Sequence, residues 1–311
     1  MRTRKIGQLE VSAVGLAAMG FSHGFGPGVP DDEAVARMRR AYELGCTHFD
    51  TAEGYEHGEN ERLVGTAVAP FRDHVVLATK LFVHPARTLG ELGNQIRQHL
   101  HASLQRLGTD HIELYYQHRV PDTIPVEDVA GVMGELIAQG LIGGWGQAQA
   151  SAEQIRRAHA VTPLTAVQSE YSMMERSVEA EVLPACEELG IGFVPVSPLA
   201  SGFLSGRVRA GDSGDARRAV AHFDPDVIAA NQPLVDFLHR LAADHDVTPA
   251  QLALAWMLHK KPFIAPIPGS RERERIQENL AAADLELTAT EFERIEAELG
   301  ELDDGDRRGA G

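Results

Sequence analysis

A chain of 311 residues with 43% hydrophobic content holds enough apolar material for one large α/β domain or two smaller ones. Its formal charge of −16 argues against nonspecific binding to nucleic acid or to an anionic membrane, while leaving room for a small basic pocket. The opening MRTRKIGQLEV lacks the apolar core of a signal peptide, and no stretch approaches the roughly 20 apolar residues of a membrane span. Two cysteines, Cys46 and Cys186, lie in apolar or helical surroundings, as buried free thiols of a reducing, cytoplasmic protein do. The fourteen histidines are scattered and give no metal-binding pattern; HLH at 99–101 falls on a helix, where alternating residues diverge.

In chain order, TRKIGQLEVS reads as a hairpin turning at Gly7-Gln8 and suited to capping one end of a barrel. Eight strand-like apolar runs follow: VSAVGLA, THFDT, HVVLATK, HIELYYQ, LIGGWGQ, LTAVQSE, IGFVPVS and PFIAPIPG. Helical spacing fills the gaps between them. DDEAVARMRRAYELG has an acidic cap and ends at Gly45, ELGNQIRQHLHASLQRLG ends at Gly108, and SVEAEVLPACEELG ends at Gly190. SAEQIRRAHA opens with Ser151 and Gln154 in capping-box spacing, and TPAQLALAWMLHK carries Pro249 in its first turn. Residues 200 to 230 read as a long loop, TATEFERIEAEL as a final helix outside the ring, and the Gly-rich tail as frayed. No linker divides the chain. Eight β-α units predict a single (β/α)8 barrel over residues 1–311, with an N-terminal hairpin and an extra C-terminal helix; an open doubly wound sheet fits less well, because the first unit lacks GxGxxG.

In such a barrel, chemistry gathers at the C-terminal strand ends. Strand two ends on Asp50 with Tyr55 in the following loop, strand three on Lys80, and strand four on His118. Adjacent parallel strands lie about 5 Å apart, so the four can converge. Asp50 is then charged against Lys80, and the ammonium makes the Tyr55 hydroxyl a better proton donor. At the other end of the chain, IPGSRERERIQENL leads from strand eight into a helix whose N-terminus, with Arg271 and Arg275 one turn apart and Ser270 beside them, suits a phosphate.

FDTAEGYEHGENERLVG, LATK and DHIELYYQHRV closely resemble the aldo-keto reductases, and VSAVGLAAMG, VQSEYSMMER, SPLASGFLSG and IPGSRERERIQENL extend the resemblance over nearly the whole chain. It is nearest the branch that includes pyridoxal and perakine reductases. The resemblance implies NADPH-dependent reduction of an aldehyde or ketone to an alcohol, with Asp50, Tyr55, Lys80 and His118 as the tetrad and Tyr55 as general acid. It implies a 2′-phosphate at Ser270 and Arg275, adenine near Glu278 and Asn279, and a loop closing over the pyrophosphate at Gly202 and Gly206. Val196, Ser197, Leu199, Leu204, Gly269 and Arg271 complete the implied cofactor contacts, with Gln168 at the carboxamide.

Three positions depart from the family's usual pattern. WGQAQAS places Ala148 where relatives carry a serine that binds the carboxamide, with Gln147 and Gln149 as the candidates to compensate. Val196 stands where an aromatic residue commonly stacks on the nicotinamide, and Ala17-Ala18 end strand one. These departures keep two further readings open: a non-redox acid/base enzyme (isomerase, dehydratase or cyclase) with NADP(H) structural or absent, and a slow NADPH-holding sensor. Phe21, Phe25, Phe82, His84, Arg119, His222 and Phe223 are the expected pocket residues for a small carbonyl substrate, favouring an aromatic or bulky apolar one; GFSHGFGPG reads as a flap.

Overall fold

The computed structural model describes residues 1–22, 28–206 and 225–303. Strands β1 (Thr3–Ile6) and β2 (Leu9–Ser12) pair antiparallel around Gly7, whose φ of +58° is one that glycine adopts readily. Ile6 and Val11 are fully buried among Val76, Ala78, Leu114, Ala166 and Val194, residues that point into the barrel. The hairpin therefore stoppers the end at which the barrel strands begin, opposite the C-terminal strand ends.

Seven parallel strands pair in chain order: β3 (Leu16–Ala17), β4 (His48–Asp50), β5 (Val76–Leu81), β6 (Leu114–Gln117), β7 (Trp145–Ala148), β8 (Ala166–Glu170) and β9 (Gly192–Val196). The predicted first run, VSAVGLA, is split, with Val11-Ser12 in the hairpin and Leu16-Ala17 in the barrel. The predicted eighth strand is present as a sparsely paired segment. Ala265 and Ile267 donate to Phe193 and Pro195 of β9 (3.0 and 3.1 Å), and Gly15 donates to Pro266 (2.9 Å), which closes the cylinder. Pro266 and Pro268 have no N–H to offer, so the ladder on the β3 side cannot be continuous.

Helices α1 (Asp31–Glu43), α2 (Glu59–Val68), α3 (Leu89–Leu107), α4 (Val126–Ala138), α5 (Ala152–Val161) and α6 (Val182–Leu189) each follow a strand and lie outside the sheet. Gly108 and Gly190 close α3 and α6 at φ +65° and +66°. Ser151 and Gln154 form the predicted capping box at α5. In α1, the three acids occupy the first turn while Pro30 holds the cap position without a side-chain bond, so they act on the helix dipole rather than as a cap.

The loop reading ends early. Helix α7 (Pro225–Asp244) begins inside the stretch read as loop, and leans on α8 (Pro249–Lys260) and α10 (Ala289–Asp303). Leu234, Leu238 and Leu241 supply its buried stripe; Pro233 interrupts the pattern and disguises it in the sequence. Helix α9 (Arg273–Ala281) follows the eighth strand segment. No helix among the described residues is long and apolar enough to cross a membrane.

Candidate active site

Alternation along β4 sends Phe49 outward to the helices and Asp50 inward. Lys80, on the neighbouring strand, meets it there. The two are 2% and 1% exposed, and Lys80 Nζ forms an ion pair with Asp50 Oδ1. Nζ also donates to the Thr51 carbonyl (2.7 Å) and lies 3.4 Å from Tyr55 Oη, so all three ammonium protons have a destination. Gln168 Nε2 donates to Asp50 Oδ2 at 2.9 Å. Burial alone would favour the neutral amine, but the Asp50 carboxylate, then Tyr55, outweigh it and hold Lys80 above the ordinary lysine value.

Tyr55 sits on a one-turn 3-10 segment, followed by Glu56 and His57 at φ +47° and +53°. Gly54 is pressed against Phe82, where an added Cβ would come within 2.7 Å of the ring. His118 stacks on Phe82 with centroids 4.4 Å apart and meets Tyr55 edge-on at 5.9 Å. Burial first, then the charges of Lys80 and Arg119, push the imidazole down to about 3, so it is neutral at pH 7. Its Nδ1 is buried with no hydrogen-bond partner among the described residues.

A cavity of about 380 Å³ joins these groups to the α9 end of the barrel mouth. Asp50, Tyr55, His118 and Arg119 line one part of it, and Ser270, Arg271, Arg275, Glu278 and Asn279 line another. Between them lie Gln149, Gln168, Val196, Ser197, Leu199, Gly202 and Gly269. Gln149 and Ser197, just beyond β7 and β9, adopt φ +59° and +50°, and Ala200 and Ser201 adopt +47° and +54°. Left-handed backbone of this kind is uncommon for residues with side chains, and three of the four, Gln149, Ser197 and Ser201, line the one cleft. At the α9 end, Ser270 Oγ accepts from the Glu272 amide (3.2 Å), Arg275 pairs with Glu272 (2.9 Å), and Glu278 accepts from Thr248 (2.7 Å).

Several expected residues are elsewhere. Phe21 and Leu204 are buried in the outer apolar core rather than on the cleft wall. Gly206 ends the loop beyond β9 at φ +68°, packed against His239. His84 is exposed, with its amide tied to Gln95 (2.9 Å). Phe82 reaches the site through its stack on His118 rather than as cleft wall. Gln147 faces outward, buried, with its amide 3.4 Å from Gln117, so it cannot replace the missing hydroxyl; Gln149 is on the cleft. Ala148 contributes a methyl group to the wall. Phe25, His222 and Phe223, with most of the predicted flap, lie outside the described residues. Glu170, the last residue of β8, lines the cleft and was not anticipated, although its spacing of two from Gln168 places both on one face.

A second buried imidazole makes a pH prediction. His48 is fully enclosed, neither ring nitrogen has a hydrogen-bond partner among the described residues, and burial lowers it to about 4. Below the unfolded value of 6.5 the unfolded chain takes up a proton that the folded chain refuses, so stability falls as pH falls. Between pH 6.5 and 4 the expected loss from His48 is on the order of 3 kcal/mol. Chemical denaturation across that range should show it, and His48→Asn should flatten the slope.

Residues 13–299 match the profile of the Aldo/keto reductase family. A probable aldo-keto reductase 1 of Glycine max is 34% identical over 293 residues, covering 92% of this chain and 85% of that protein. An aldo/keto reductase of Klebsiella pneumoniae, solved with NADP and acetate, is 27% identical with TM-score 0.76, covering 96% and 95% of the two chains. A glycerol dehydrogenase of Gluconobacter oxydans, 24% identical over 99% and 98% of the chains, shares the fold at TM-score 0.85. With an inward Asp–Lys pair set against a tyrosine at the strand ends of a closed parallel barrel, and a profile match across nearly its whole length, this chain belongs to the aldo/keto reductase family.

Proposed function

We propose that the protein reduces an aldehyde or ketone to an alcohol with NADPH, and that Tyr55 is the general acid. The observation that carries this is the contact of Lys80 Nζ with both Asp50 and Tyr55 Oη, inside the cleft that also reaches Arg271 and Arg275. The donor set at that end fits a phosphate-bearing dinucleotide: two guanidinium groups and a serine hydroxyl at the start of α9, in a protein otherwise strongly acidic. Ser270 and Arg275 would hold the 2′-phosphate, Glu278 and Asn279 the adenine, and Gln149 and Gln168 the carboxamide side of the ring. NADPH, when bound, supplies the hydride to the carbonyl carbon. Tyr55 Oη gives its proton to the carbonyl oxygen, Lys80 stabilises the phenolate left behind, and Asp50 keeps Lys80 charged. His118, neutral, orients the carbonyl oxygen without competing as an acid. The resemblance of its motifs supports a position near the pyridoxal- and perakine-reductase branch.

Ala148 and Val196 favour one second reading, a non-redox acid/base enzyme using Tyr55, His118 and Lys80 for proton transfer, because both remove contacts that would fix the ring. Absorbance of the reduced cofactor separates the two: a panel of aldehydes should consume NADPH, whereas product formed without cofactor loss selects the second reading. Arg275→Ala should weaken NADPH binding about 10- to 100-fold, the worth of a charged hydrogen bond, and leave NADH binding nearly unchanged. Fluorescence titration with both cofactors checks it.

A further inference from the structure

Glu53 performs no proton transfer in this scheme and is absent from the cleft wall, yet it ties the loop that carries Tyr55 to the strand that carries Lys80 and to α3. Its amide donates to the Lys80 carbonyl (3.2 Å), and its Oε1 accepts from the Phe82 amide (2.8 Å). Phe82 is the ring on which His118 stacks and against which Gly54, the residue before Tyr55, is pressed. The same carboxylate meets His99 Nδ1 of α3, 2.8 Å from each oxygen. Glu53 is mostly enclosed, while about a third of the His99 side chain reaches solvent.

The geometry points to Glu53 as a positioning residue for Tyr55, Lys80 and His118, with His99 as its countercharge outside the cleft. Protonated His99 holds the carboxylate in place, and through it the Phe82 amide and ring. When His99 loses its proton, one ion pair of the clamp is lost and the carboxylate can relax away from β5. The other groups facing this pair are Arg106 on α3, Glu61 on α2 and the buried Tyr115 phenol on β6. Arg106 is itself paired with Glu61, which also accepts from Thr79 Oγ1 (2.6 Å), so the neighbouring charge stays neutralised as His99 titrates. The hydrogen bond that His99 donates to Glu53 raises the imidazole above the ordinary histidine value, against burial. A raised value means that the clamp is complete below 6.5 and is lost as pH rises through the folded-state titration of His99.

The test is an NMR titration of histidine-labelled full-length protein, in wild type, Glu53→Gln and His99→Gln, together with pH profiles of turnover. The carboxamide of Glu53→Gln keeps an acceptor for Phe82 but no charge for His99. In wild type, the His118 ring signals should move in step with the His99 titration. In both variants that movement should be gone. The kinetic arm rests on the reductase reading: kcat should fall as pH rises through the same titration, and His99→Gln should lose that limb. Glu53→Gln should lower kcat about tenfold with KM for NADPH within about twofold, since small misplacements of a reacting group cost up to about 10²-fold. His118 signals indifferent to His99 in wild type would overturn the inference, as would unchanged coupling in either variant. A protein that consumes no NADPH with any carbonyl compound removes the reductase reading, and the NMR arm still decides the clamp. Should one variant fail to fold, the other carries the comparison.

Discussion

Tyr55→Phe should lower turnover of NADPH-dependent carbonyl reduction by about 10²- to 10⁴-fold, the usual worth of a positioned general acid. NADPH binding should stay within about twofold, because the change removes one oxygen that faces Lys80 and leaves the ring's edge contact with His118 intact. The substitution also leaves Lys80 with its two stronger partners, Asp50 and the Thr51 carbonyl, so folding should be little affected. Single-turnover kinetics with pre-bound NADPH isolate the chemical step. A Tyr55→Phe enzyme with near-normal single-turnover rates would remove Tyr55 from the mechanism, and a parallel loss of NADPH affinity would point to misfolding of the loop instead.

Lys80→Met should cost about 3–5 kcal/mol of folding stability, the penalty for leaving one member of a buried ion pair uncompensated. Asp50 is 2% exposed and, among the described residues, its carboxylate is met by Lys80 and the Gln168 amide. The Thr51 carbonyl loses its donor in the same change. Asp50→Asn combined with Lys80→Met removes both charges and should recover a substantial part of the loss, because two neutral groups in this space leave no unpaired charge. Urea denaturation of the two single variants and the double variant measures the coupling directly. Activity should be absent in all three, so the cycle separates what the pair does for folding from what it does for catalysis. Equal destabilisation of single and double variants would mean that the pair is not coupled in the folded protein.

Period-two alternation made much of the site legible in advance. Asp50, Lys80 and His118 stand at or just beyond the ends of successive strands, and the pleat is a local property of the backbone, so their convergence follows from the barrel alone. The helix ends were readable for the same reason, since Gly108, Gly190 and the Ser151–Gln154 box satisfy terminal backbone groups a few residues away. Glu170 was equally readable by that rule and was passed over.

Other features depend on partners remote in the chain. Phe21 has the composition of a pocket residue, but the outer core covers it, and no local pattern announces which surface a helix will bury. Gln147 and Gln149 share a residue type and a parity, so alternation alone would send both the same way; the left-handed turn at Gln149, just beyond β7, puts it on the cleft while Gln147 faces the helices. Pro233 suppresses the signal of a helix that packing against α8 and α10 sustains. The eighth strand is sparsely paired because its prolines have no N–H to give the ladder. Sequence by itself thus determined the barrel, the meeting of Asp50, Lys80, Tyr55 and His118 at its mouth and the basic start of α9, each written in short-range patterns. Tertiary structure alone decided which side chains share the cleft and that Glu53 and His99, 46 residues apart, meet behind it, because burial is settled by segments that the chain brings together only on folding.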